Sequence, residues 1–237
     1  MSSKAGWEEQ ARNWAAWTRD DGYGQFREAF FDEIVGPPGR ATLEIGCGEG
    51  RVARDLRDRG HRVTGVDASP TLIALAREAD PQGEYVVADA AALPFTDGSF
   101  DLVVAHNSLM DFDDLTGSVA EAARVLEPRG RFAISVVHPL VYTGRWESRD
   151  PQARFVASEP YFGRRRIIEH FARDEREVTF HSWMSPLEDY VRALELAGFL
   201  ILRMREPAMP PHEIELDPGE GRWLRLPNLL HLLAVRR

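Results

Sequence analysis

Between residues 41 and 137, short β-branched runs alternate with stretches whose apolar positions recur every three or four residues. "ATLEI" precedes "GRVARDLRDRG", which keeps Val52 and Leu56 on one face and places Gly60 at its C-cap. "RVTGV" runs into Asp67, and "SPTLIALAREA" follows with Ser69 as N-cap and Pro70 at the first helical position. "EYVVA" stops at Asp89 and "FDLVVA" at His106. "DLTGSVAEAARVL" reads as a helix closed by "EPRG", and "RFAISVV" ends at His138–Pro139. Five strand–helix units in succession predict a doubly wound α/β fold, a mostly parallel sheet covered on both faces by right-handed crossovers.

That rhythm stops over residues 139–183, where Tyr142, Trp146, Phe155, Tyr161 and Phe162 cluster and "RRRIIEHF" and "REVTFHSW" read as two strands. The segment is expected to be an inserted lid that binds substrate. "SPLEDYVRALELAGF" restores the amphipathic helical spacing, and "LILRM" and "LLHLLAV" supply two last strands. Residues 1–35 read as a helical N-terminal cap carrying Trp7, Trp14, Trp17, Phe26, Phe30 and Phe31. One domain over 1–237 accommodates all of this.

Composition narrows the functional classes. A formal charge of −9 disfavours wholesale binding to nucleic acid or an anionic membrane surface. No apolar run reaches the length of about 20 residues that spans a bilayer. The start, "MSSKAGWEEQARNW", lacks the apolar stretch of a secretory signal, and the single cysteine, Cys47, permits no internal disulfide. A cytoplasmic location is expected.

Three glycines at alternate positions, Gly46, Gly48 and Gly50, follow the first strand in "ATLEIGCGEGR". In an open parallel sheet, ligands bind beyond the carboxyl ends of the strands, where backbone at such a turn can approach them. By itself the loop also reads as a plain tight strand–helix turn. Its spacing is G-x-G-x-G, unlike the dinucleotide fingerprint, and no Walker lysine follows it. Glu44, Asp67 and Asp89 lie in or at the ends of successive strands, which suits a ligand rich in donors and carrying positive charge better than one carrying phosphates.

The stretch "LEIGCGEG…VTGVDASPTLIALARE…YVVADAAALPFTDGSFDLVVA…EAARVLEPRGRFAIS" resembles the class I S-adenosylmethionine-dependent methyltransferases, in the small-molecule branch that includes the quinone C-methylases. The likeness runs over about residues 41–137 with motif order and spacing intact. It implies a Rossmann-like seven-stranded sheet whose last strand is inserted antiparallel, a place that "LLHLLAV" fits. It also implies S-adenosylmethionine as cofactor, S-adenosylhomocysteine as product and a small-molecule acceptor. By position, Glu44, Gly46, Gly48 and Gly50 would wrap the methionine part, and Cys47 between them fills a small space. Asp67 would bind the ribose hydroxyls with Ala68 beside the adenine. Asp89 and the Ala90 N–H would face the adenine edge, and the backbone at His106 the methionyl group. Trp14 stands where relatives carry an aromatic in an N-terminal helix. A β-carbon on the loop glycines would obstruct the cofactor.

Methyl transfer from a sulfonium demands alignment and exclusion of water more than a fixed catalytic set. A base is needed only where the acceptor must lose a proton. His138, at the end of the fifth strand, is the candidate base, against a plain hydrogen-bonding role. His106, Asn107 and Ser108 would line the substrate side or cap the loop. Surface roles are expected for His170 and His181, and a solvated strand edge for Arg164–Arg166. The histidines show no close ligand spacing, so no metal site is expected. A tRNA or protein methyltransferase, a nicotinamide oxidoreductase and a cofactor-binding protein with other chemistry are the competing readings.

Overall fold

The computed structural model describes residues 2–18, 24–173 and 176–237. The chain opens with α1 (Ser3–Trp17), capped by the Ser2 hydroxyl, which accepts the Ala5 N–H at 3.2 Å. Then come α2 (Gly24–Phe30), continued by a π turn (Phe31–Val35) that buries Phe31, Ile34 and Val35. Residues 1 and 19–23 of the expected N-terminal cap lie outside the described residues.

The α/β body follows as β1 (Thr42–Ile45), α3 (Arg51–Asp58), β2 (Val63–Asp67), α4 (Pro70–Ala79), β3 (Glu84–Val87), β4 (Phe100–His106), α5 (Leu115–Val125) and β5 (Leu126–Val137). All four residues of β1 are buried, because helices cover both faces of a parallel sheet. Ser69 caps α4 by accepting the Leu72 N–H at 3.1 Å, and Asp114 caps α5 through the Gly117 N–H at 2.8 Å.

Two corrections apply to the expected rhythm. The third unit has no helix: "DAAALPFTDGS" crosses from β3 to β4 as a loop, since Pro94 and Gly98 break any helical run. Arg124 pins this loop to α5 by donating to the carbonyls of Leu93 and Phe95 at 3.0 and 2.7 Å. Second, "EPRG" does not close α5 as a separate turn. The chain enters β5 directly at Leu126, and a register shift against β4 absorbs the extra residues, with Arg129 in the left-handed region at φ 66°.

Outside this body are two antiparallel hairpins, β6 (Gly144–Trp146) with β7 (Phe155–Ala157), and β8 (Arg165–Arg173) with β9 (Arg176–Met184). The chain then returns through α6 (Leu187–Leu196), β10 (Phe199–Arg205), α7 (Pro211–Leu216) and β11 (Leu229–Arg236). The seven-stranded sheet has the order β10-β11-β5-β4-β1-β2-β3. β11 is inserted antiparallel between β5 and β10, and the other contiguous pairs from β3 to β5 are parallel. Strand order reverses at β1, so a crevice opens between the carboxyl ends of β1 and β4.

Candidate functional site

At that crevice lies a cavity of about 700 Å³, lined from the sheet by Glu44, Gly46, Cys47, Gly48, Asp67, Ala68, Asp89, Ala90 and His106. Trp14 reaches it from α1. Of the cofactor residues expected from sequence, Gly50 alone does not line the wall.

The glycine loop holds its shape through left-handed backbone, with φ of 71°, 56° and 81° at Gly46, Gly48 and Gly50, conformations that side-chain-bearing residues rarely adopt. Gly46 and Cys47 both donate to the Val66 carbonyl, at 2.7 and 2.9 Å, tying the loop to the end of β2. What crowds the glycines is protein. A β-carbon at Gly46 would meet Ser108 Oγ at 2.9 Å and the Phe112 ring at 3.2 Å; one at Gly48 would meet the Trp14 ring at 3.0 Å; one at Gly50 would meet Tyr85 at 2.8 Å. The cavity's own walls therefore leave these glycines no room for a side chain.

Three carboxylates mark the strand ends. Glu44 is buried, and its Oε2 has no hydrogen-bond partner. Burial first, then the charges of Glu49, Asp67 and Asp55, hold its pKa well above the usual carboxylate range. Asp67 Oδ2 accepts the Gly48 N–H at 2.9 Å and its Oδ1 accepts the Ser69 N–H at 2.8 Å. Burial raises its pKa, and these donors work against the shift. Asp89 Oδ1 accepts the Ala91 N–H at 3.0 Å, while its Oδ2 stands 3.5 Å from Lys4 Nζ of α1. The Cys47 thiol is buried and its pKa is pushed up, so it stays protonated.

α1 spans the cavity as a roof. Ser3 donates to Asp113 at 2.9 Å, Trp7 Nε1 donates to the His181 carbonyl at 3.0 Å, and Glu8 accepts from the hydroxyls of Ser69 and Thr71. Gly6 lies directly on the His181 ring, which is buried instead of having the expected surface role.

The aromatic wall comes from the expected cap and lid strands, but through Phe171 and Phe180, which the sequence did not single out. Trp7 packs edge-on against Phe180 with ring centroids 5.6 Å apart, and Phe180 against Phe171 at 5.2 Å. Both phenylalanines and Trp17 line the cavity, as do Asp111, Glu169 and Ser182. Of the aromatics expected from 142–162, only Tyr142 does; Trp146 packs on Phe155 and Trp223, and Phe162 is exposed. Period-two alternation in "REVTFHSW" is the signal that could have found Phe180 and Ser182 together.

His138 requires a correction. It is buried and absent from the cavity wall; its Nδ1 accepts the Leu140 N–H at 3.2 Å, and its Nε2 faces Glu206 Oε1 at 3.1 Å. With both ring nitrogens engaged away from the crevice, the expected role as base is not carried forward. Arg164 is exposed, as expected of a solvated edge, whereas Arg165 and Arg166 are half-buried. Arg164 donates to the carbonyls of Phe112 and Asp113 at 2.6 and 2.8 Å and stacks 4.3 Å over Trp183, and Arg165 donates to the Tyr142 carbonyl. They fasten the β8–β9 hairpin to the turn after β4.

A seven-stranded sheet with one antiparallel insertion, a glycine turn after β1 and acidic residues closing β2 and β3 together define the Rossmann-like methyltransferase fold. A solved S-adenosylmethionine-dependent methyltransferase from Mesorhizobium loti superposes with a TM-score of 0.72 at 24% identity, covering 91% of this chain and 99% of that one. The methyltransferase domain family model matches residues 43–134. Aklanonic acid methyltransferase of Streptomyces sp. strain C5 is 32% identical over 178 residues, 70% of this chain and 77% of the relative. Demethylmenaquinone methyltransferase of Beutenbergia cavernae is 33% identical over 110 residues, 46% of each chain, so with this relative the match spans about half its length. The chain belongs to the S-adenosylmethionine-dependent methyltransferase family.

The residues present fit that family's cofactor. The buried Glu44 Oε2, without a hydrogen-bond partner among the described residues, would suit a cationic amino-acid end, and Asp67 and Asp89 would offer acceptors to a diol and an exocyclic amine. A pyrophosphate would face three carboxylates there.

Proposed function

We propose that this protein transfers a methyl group from S-adenosylmethionine to a small-molecule acceptor bound in the same cavity. The reading rests on one observation: the glycine turn, Glu44, Asp67 and Asp89 open onto a single cavity whose wall also carries Trp7, Trp14, Trp17, Phe171 and Phe180. When bound, the cofactor supplies an activated methyl carbon on a sulfonium, whose leaving group needs no protonation. The chain's own residues then align and desolvate. Glu44 and the turn at Gly46–Gly48 orient the methionine end, with the backbone at His106 beside it. Asp67 holds the ribose hydroxyls, Ala68 flanks the adenine, and Asp89 with the Ala90 N–H reads its edge. Trp14 and the rest of α1 shield the site from water, and alignment of this kind is worth roughly 7–11 kcal/mol of barrier. The segment 139–183 acts as the lid over the acceptor.

Support for a small molecule, over a polymer, comes from the enclosed chamber under α1 and the β8–β9 hairpin. The test is calorimetry with S-adenosylhomocysteine and with NAD, followed by transfer of labelled methyl to cell extract separated into small molecules, RNA and protein. Binding of the thioether nucleoside with label in the small-molecule fraction is the expected result. Heat from NAD alone, or label in RNA or protein, refutes it.

A further inference from the structure

The charges of the cavity wall do not balance. Each basic side chain on it faces a carboxylate: Lys4 meets Asp89 at 3.5 Å, Arg27 meets Asp55 at 3.2 Å, Arg51 meets Glu49 at 3.2 Å and Arg222 meets Glu220 at 3.3 Å. Among the remaining acids, Asp113 takes the Trp183 Nε1 and Ser3 N–H, and Asp114 caps α5. Glu44 and Asp67 belong to the cofactor end. Two carboxylates are left over, Asp111 and Glu169, and among the described residues neither has a basic side chain within ion-pair distance.

Their placement is not incidental. Asp111 lies in the short turn Leu109–Asp111 after β4, whose neighbours Ser108 and Phe112 abut Gly46, so it stands near the methionine end of the cofactor site. Its Oδ1 accepts the Ser182 hydroxyl at 2.6 Å. Ser182 and Phe180 are two residues apart on β9, and Phe180 is the cross-strand partner of Glu169 on β8. Glu169, Phe171, Phe180 and Ser182 therefore share one face of the hairpin, the face turned into the cavity. Desolvation raises the pKa of both carboxyls, and no cationic neighbour offsets it for either. An acid, phosphate or phenolate entering this chamber would meet these two carboxyls with no cation among the described residues left to pair with. A cation would favour their ionised form and be drawn as well by the faces of the aromatic rings.

We infer that the acceptor is an organic amine carrying an apolar or aromatic skeleton, its ammonium matched by Asp111 and Glu169 and its skeleton held against Trp7, Phe171 and Phe180. This names the substrate class of the proposed methyl transfer and rests on that reading. It goes beyond the acceptors in the relatives' names, demethylmenaquinone and aklanonic acid.

The test uses the protein saturated with S-adenosylhomocysteine, titrated calorimetrically with three indoles of similar shape: tryptamine, tryptophol and indole-3-propionate. Tryptamine is expected to bind about ten-fold more tightly than tryptophol, with the propionate weakest. Glu169→Gln, on the hairpin surface and away from the core, is expected to bring tryptamine and tryptophol within about two-fold. Asp111→Asn gives the same convergence while the variant still takes up S-adenosylhomocysteine. Propionate binding as tightly as tryptamine overturns the inference, as does an amine preference that survives in the double variant or no uptake of tryptamine at millimolar concentration. A wild-type preference for S-adenosylmethionine over S-adenosylhomocysteine that disappears in Glu169→Gln also overturns it, by assigning these carboxylates to the sulfonium. No uptake of S-adenosylhomocysteine defeats both readings; uptake without amine preference defeats this one alone.

Discussion

Replacing Asp67 with alanine separates what this carboxylate does for the fold from what it is proposed to do for the ligand. Its oxygens already accept backbone N–H groups, from Gly48 at 2.9 Å and from Ser69 at 2.8 Å, and a carboxylate with further acceptor capacity lines the cavity. Hydrogen bonds to a charged group contribute roughly 1.5–3 kcal/mol apiece, but here water from the cavity replaces part of the loss. The net cost to the apo protein is then about 1–3 kcal/mol, or a fall in Tm of roughly 2–10 °C for a chain of this size. The ligand loses two hydroxyl-to-carboxylate bonds with no replacement, about 3–6 kcal/mol, which weakens S-adenosylhomocysteine binding roughly 10²–10⁴-fold. Calorimetry well below the melting range measures this directly. A cycle with the 2′-deoxy analogue isolates the contact: wild type loses affinity for the deoxy ligand, whereas Asp67→Ala does not discriminate. Equal losses in both proteins would refute the ribose assignment, even if the variant bound weakly.

Two further expectations concern the frame around the site. His231 is buried on β11 against Phe30, and burial alone pushes its pKa down to about 4. The folded state keeps it neutral while the unfolded chain protonates below about 6.5, so its contribution is intact above that pH and is lost as the pH falls toward 4. Between pH 7.5 and 5 this removes about 2 kcal/mol, and His231→Leu should flatten the urea-derived stability difference by that amount. The raised carboxyls of Glu44, Asp67 and Asp111 act with the opposite sign but are common to both proteins; an unchanged slope refutes the assignment to His231. Gly6→Ala places a methyl group inside the His181 ring and must lift α1 from β9, at a cost of about 1–3 kcal/mol. Thermal unfolding of Gly6→Ala against Gly6→Ala/His181→Ala checks this, the second change being expected to restore the contact; equal destabilisation in both shows that the ring is not what the methyl meets.

Local patterns carried the sheet and the cofactor end because both depend on residues close in sequence. The 3.6-residue spacing of Val52 and Leu56, the Ser69–Pro70 cap and the alternate glycines after Ile45 are each complete within a dozen residues, and the motif order repeats strand by strand. The same logic misled where a local signal had no competitor on the page. The regular strand–helix rhythm overrode the breakers Pro94 and Gly98 in "LPFTDGS", a loop that Arg124, some 30 positions on, holds in place, and "VVH" points to the sheet's open end while the His138 ring turns to Glu206.

By itself, then, the sequence determined a mostly parallel α/β sheet and a left-handed glycine turn after its first strand, since secondary structure and turn chemistry follow short-range sterics and hydrogen bonding; the antiparallel last strand came from the family resemblance. Only the tertiary structure decided which walls press on the glycines, that Arg164–Arg166 fasten a hairpin, and that Asp111 and Glu169 meet no cation. Those facts depend on contacts across 23 to 71 residues of chain, where burial and charge balance arise from packing that no local window contains.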